Sequence, residues 1–169
     1  MDVSGAVLLY TLAGLMVTFA GFSTLLLVIR QAAGSRLSVL DRYLAKTVLT
    51  NSLVLTAAAL LPPLLALYGI AEAAIWKIAA VCFAAVMLAL LLSFPHRRRR
   101  AVGKGPPPMV LAIFVLLGSA VIVAMLVSVL AGCQHPAAAY ITALIVNFFA
   151  LGYGFVTAMD VILQQPADG

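Results

Sequence analysis

The chain has 169 residues, of which 65% are hydrophobic and only 9% charged. Soluble globular domains carry roughly a quarter charged residues, so this composition excludes a water-soluble fold and specifies an integral membrane protein. The net charge of +5 does not imply nucleic acid, because the basic residues sit in blocks beside apolar runs, where they act as topology signals.

The first apolar run predicts a retained span over about residues 5–29, since it has no basic leader segment and continues past the length of a signal-peptide core. Gly14, Gly21 and Ser23 are small enough to admit a neighbouring helix, and Thr11, Thr18 and Ser23 can return their hydroxyls to the preceding turn. Arg30, Arg36 and Arg42 mark the first hydrophilic loop, in which Ser38 and Asp41 have the spacing of a helix N-terminus. A helix is therefore predicted from near Val39, entering the membrane over about 44–69. Lys46 lies close enough to the boundary to snorkel, Asn51 needs a partner inside the bilayer, and Pro62 with Pro63 should kink or break the end of this helix.

The third span is predicted over about 73–94, with Glu72, Trp76 and Lys77 as an anchoring outer rim and Cys82 as a small apolar residue. Residues 95–108, PHRRRRAVGKGPPP, read as a basic, proline-rich cytoplasmic loop. Arg97, Arg98, Arg99, Arg100 and Lys104 within it fix topology and are candidates for contact with lipid headgroups. A fourth span, about 109–131, has no charged residue and should face lipid over much of its surface. Cys133 and His135 follow in a turn, but two ligands are too few for a metal site.

The fifth span, about 137–163, is the most polar. Asn147, Ala150, Gly154, Thr157 and Ala158 form a stripe expected to face other helices, Tyr153 is expected to find a hydrogen-bond partner deep in the span, and Asp160 should reach the headgroups or pair with Arg42 or Lys46. These elements compose one all-α membrane domain over residues 1–169: a polytopic bundle of five transmembrane helices. Five crossings put nine of the ten Lys and Arg residues on one side and Lys77 on the other, so the N-terminus is expected outside and the C-terminus in the cytoplasm. Tyr10, Tyr68, Trp76 and Tyr140 then fall towards the outer interface and Tyr43 towards the inner one. A four-span arrangement would need a re-entrant second or fifth segment, and neither is short enough to prefer that.

Ala20-Gly21-Phe22-Ser23, Arg30, Ser38, Asp41-Arg42, Ala59-Leu60-Leu61-Pro62, Gly69-Ile70, Glu72 and Trp76-Lys77 together resemble an uncharacterised family of small bacterial multi-pass inner-membrane proteins. The resemblance covers about Ala20 to Lys77 and implies a helical hairpin in a bacterial cytoplasmic membrane, with no activity attached.

Function is weighed among three classes. Catalysis is not expected, since the in-membrane candidates Asn51, Asn147, Tyr153 and Asp160 with scattered hydroxyls form no nucleophile, base or metal set, and no cofactor is implied. An oligomeric small-solute transporter or channel is the alternative, weakened by the lack of an ionisable residue near mid-membrane. A structural or accessory membrane component is the leading expectation, with the lipid bilayer and either a homo-oligomer or a larger membrane complex as partners, and no nucleic acid.

Overall fold

The computed structural model describes residues 5–32, 39–103, 108–131 and 135–163; within the helices the side chains of 108–114, 157–163 and several single positions, Asp41 among them, fall outside the described set. Five helices follow one another: α1 (Ala6–Ala32), α2 (Val39–Leu67), α3 (Glu72–Val102), α4 (Pro108–Leu130) and α5 (Pro136–Leu163), with no strand among the described residues. Four to five of them are long and apolar enough to cross a membrane. Such all-round apolarity suits a helix, whose backbone polar groups are satisfied within the segment itself.

α2 lies against α1, α3 and α5, while α4 covers α3 and α5. Each helix buries a narrow stripe at helical spacing: Leu9, Leu12, Ala13, Met16 and Ala20 on α1, Ser52, Leu55, Ala59 and Pro62 on α2, and Tyr140, Ile141 and Leu144 on α5. Small residues at these positions let the backbones approach closely, as expected where no hydrophobic driving force separates helix from lipid. The small residues that do this are alanines together with Ser23 and Ser52. Gly14 and Gly21, expected to admit a neighbour, face outward with no atom near enough to meet an added Cβ. The hydroxyl expectation holds, because Thr11, Thr18 and Ser23 donate to the carbonyls of Val7, Gly14 and Phe19 at 2.9, 2.9 and 2.7 Å.

Helix directions can be read from two contacts. Gly5 adopts φ +78° just before α1, and a Cβ there would come within 2.7 Å of Ile141 Cδ1 near the start of α5. Phe19 meets Phe155 edge to face at 5.1 Å, the same number of residues further along both helices. α1 and α5 therefore run parallel. The start of α3 joins the same end, since Trp76 lies 5.8 Å from Tyr140.

Two element ends differ from a simple stop at proline. Of the kink or break expected at Pro62 and Pro63 the break does not occur, since α2 continues to Leu67 with both prolines buried in its interior. Pro95 likewise does not open a loop: α3 runs through it to Val102, so Arg97, Arg98, Arg99 and Arg100 stand on helical turns rather than in a flexible segment. One proline removes one backbone donor, and arginine is a good helix former, so nothing at 96–102 resists helix. The stop comes at Gly103, which takes φ +75° and donates its N–H to the Arg99 carbonyl at 3.0 Å, a left-handed ending that glycine adopts without a Cβ penalty. Pro108 then opens α4, at the position where a missing N–H costs nothing. Lys104 lies outside the described residues.

Candidate functional site

The two prolines of α2 create the chemistry of the bundle interior. In an uninterrupted helix the N–H of residue 62 would donate to the carbonyl of Ala58, and proline has no N–H to give. Ala58 is buried, so its carbonyl would be left unsatisfied in an environment without water. Tyr140, arriving from α5, supplies the donor: its hydroxyl reaches the Ala58 oxygen at 2.8 Å, across 82 residues of sequence.

The ring that carries this hydroxyl is held from α3. Trp76 and Phe83, two turns apart on that helix, flank Tyr140 at centroid distances of 5.8 and 5.9 Å. Phe83 meets the tyrosine ring edge to face, a favourable arrangement for aromatic pairs, and Trp76 is tilted against it at 55°. Trp76 is itself oriented by Glu72, whose Oε1 accepts from the indole Nε1 at 3.4 Å one turn earlier on α3. Three helices thus meet at one hydroxyl. The Glu72–Trp76 pair is correctly spaced, but its expected role as a rim anchored in the lipid interface is corrected: Trp76 is 1% exposed and Tyr140 fully buried, both turned inward at that end of the bundle. Tyr10 and Tyr68 do face outward.

A second polar level lies deeper. α5 runs parallel to α1 and so antiparallel to α2, the returning helix of the first hairpin. Asn51 lies two turns before Ala58 and Asn147 two turns after Tyr140, so the register of the Tyr140 to Ala58 bond brings both asparagines to about the same level of the α2–α5 seam. Both are half-buried. Asn147 donates its Nδ2 to the Ala143 carbonyl at 2.8 Å, turning its amide back onto its own helix. Ser52, beside Asn51, is fully buried, and its Oγ has no hydrogen-bond partner.

Tyr153, expected to find a hydrogen-bond partner, is 78% exposed on the outer surface of α5. Ala150, placed in the expected stripe with Asn147, is exposed too, and the buried face of α5 includes Tyr140, Leu144 and Phe155 instead. The bulky side chains claim the seam because they bury more area than Ala or Gly at the same turns. The side chains of Gly154, Thr157, Ala158 and Asp160 lie outside the described set, as do Ser38 and Cys133; His135 is exposed, and Cys82 faces outward. Among the described residues no three of His, Cys, Asp and Glu gather as a metal set.

The basic cluster forms a separate feature at the opposite end. Arg97 folds back along α3, its Nη2 donating to the Leu90 carbonyl at 3.2 Å, which also accepts from Ser93 Oγ at 3.2 Å. The Arg97 Nε is buried without a partner. Arg99 and Arg100 are exposed, and Arg98 is half-buried.

Tyr140 and Ser52 are the residues that sequence reasoning missed. A signal for the first was present, since Pro62 announces an orphaned carbonyl at Ala58, but which distant donor answers it is a matter of tertiary register. No protein family, curated protein or solved structure matches the chain.

Proposed function

We propose that the chain is a structural or accessory component of a membrane assembly rather than an enzyme or carrier. It crosses the membrane five times with its N-terminus outside, its C-terminus in the cytoplasm and its basic end among cytoplasmic headgroups. The resemblance over Ala20 to Lys77 favours a bacterial cytoplasmic membrane as its setting. α4, 23 residues of the most apolar sequence in the chain, supplies the fifth crossing.

The observation that carries this reading is the closed α2–α3–α5 junction. Tyr140 seals the proline carbonyl there, and Trp76, Phe83 and the neighbouring alanines fill the space that a solute path would need. A pathway requires polar side chains converging on open volume; here Asn147 is turned onto its own helix and Tyr153 outward.

The test is permeability of proteoliposomes containing the full chain. They should release small solutes and protons no faster than protein-free vesicles, and Asp160→Asn should alter only stability or assembly. Flux that disappears in Asn51→Ala or Asn147→Ala would establish the oligomeric transporter or channel instead.

A further inference from the structure

Counting rise along α3 locates its arginines against the bilayer. From Glu72, at the outer start of the helix, to Leu90 is about 27 Å, close to the ~30 Å thickness of a hydrocarbon core. Leu90 to Ser93 therefore marks the inner boundary, where lipid phosphates begin. Arg97 has its Cα beyond that boundary, but its guanidinium is drawn back to it by the bond to the Leu90 carbonyl. Arg98, Arg99 and Arg100 follow on the last turns, through the thickness of the headgroup layer.

Consecutive helical residues point about 100° apart, so four arginines in a row surround most of the helix circumference rather than lining one face. Of the four, Arg99 and Arg100 are exposed, while Arg97 is held on the Leu90 carbonyl. No Asp or Glu occurs in the sequence between Glu72 and Asp160, so α3 itself supplies no carboxylate to neutralise them. The ending at Gly103 keeps these arginines helical, which spares the lipids the entropy of ordering a loop. The Arg97 Nε is enclosed by protein, so this guanidinium stays on its own helix while Arg99 and Arg100 are exposed.

We propose that the last turns of α3 form a docking site for anionic phospholipid headgroups, in which the exposed Arg99 and Arg100 clamp the phosphate from the aqueous side. Guanidinium is suited to this, because its planar fork pairs bidentately with phosphate oxygens. The site rests on α3 being a membrane crossing, and it stands whether or not the chain belongs to a larger assembly.

The experiment uses the purified full chain in mixed micelles of phosphatidylglycerol and phosphatidylcholine with matched acyl chains, and native mass spectrometry to count the lipids retained. The wild-type chain should retain phosphatidylglycerol several-fold over phosphatidylcholine. Arg99→Gln with Arg100→Gln should remove most of that several-fold preference, with the emission of the single tryptophan, Trp76, unchanged as a sign of intact folding. A control pair, Arg36→Gln with Lys46→Gln, removes equal charge from the same end and should leave the preference in place. The proposal is overturned by no preference in the wild type, by equal loss in the control pair, or by displacement of the lipid with millimolar inorganic phosphate, which would make this a free-anion site. Because the readout needs no partner protein and no flux, it fails or survives separately from the accessory role.

Discussion

At the scale of single residues, the account turns on a donor that Pro62 lacks and Tyr140 provides. Tyr140→Phe keeps the ring between Trp76 and Phe83 and deletes only the hydroxyl, so it should destabilise the bundle by about 1 kcal/mol, within the range of hydrogen bonds inside membrane proteins. Pro62→Ala restores the backbone N–H that Ala58 would otherwise use. In that background Tyr140→Phe should cost almost nothing, and a double-mutant cycle followed by Trp76 fluorescence during unfolding measures the difference. Equal costs in both backgrounds would mean that the bond does not answer the proline. This pairing was only half legible in the sequence. Proline chemistry names the orphaned carbonyl, whereas the donor lies 82 residues away and is chosen by packing. Trp76 and Tyr140 were misread for a related reason: aromatic residues near a boundary satisfy the interface rule by height, but height does not say whether the ring turns towards lipid or inward.

At the scale of elements, the helices were legible because each apolar run is long enough to cross a bilayer, and the ends follow from chemistry where a glycine or proline is decisive. The end of α3 was the exception. A run of arginines after a proline reads as a loop by polarity, but helix ends are decided by backbone conformation, and the left-handed residue is Gly103. Gly103→Ala should fray the final turn at a local cost of about 1 kcal/mol, seen as faster amide exchange over residues 97–102 with the midpoint of global unfolding unchanged. Gly5→Ala should act differently. Its Cβ would combine a positive φ with an approach to Ile141, and the α1–α5 contact belongs to the bundle core. A lowered unfolding temperature is expected, partly recovered by Ile141→Ala, which removes the obstructing Cδ1. Without that partial recovery, the cost of Gly5→Ala would be backbone strain alone.

At the scale of the whole molecule, the parallel course of α1 and α5 and the grouping of Gly5, Trp76 and Tyr140 at one end agree with alternating crossings. The proposed orientation predicts that, in a cysteine-free background, a cysteine at position 77 reacts with a membrane-impermeant maleimide from outside, and one at position 36 only after permeabilisation. The reverse labelling would invert the topology. The polar residues of the bundle were legible as a set but not as an arrangement, because the same hydropathy pattern permits Tyr153 to face inward or outward and gives no register to Asn51 and Asn147. The measurement that bears most directly on the accessory role is native mass spectrometry of the chain extracted in mild detergent from the membrane that makes it. The account predicts that it is recovered at fixed stoichiometry with other membrane proteins. A homo-oligomer carrying bound small molecules would contradict it and return the seam at Asn51 and Asn147 to consideration as a pathway.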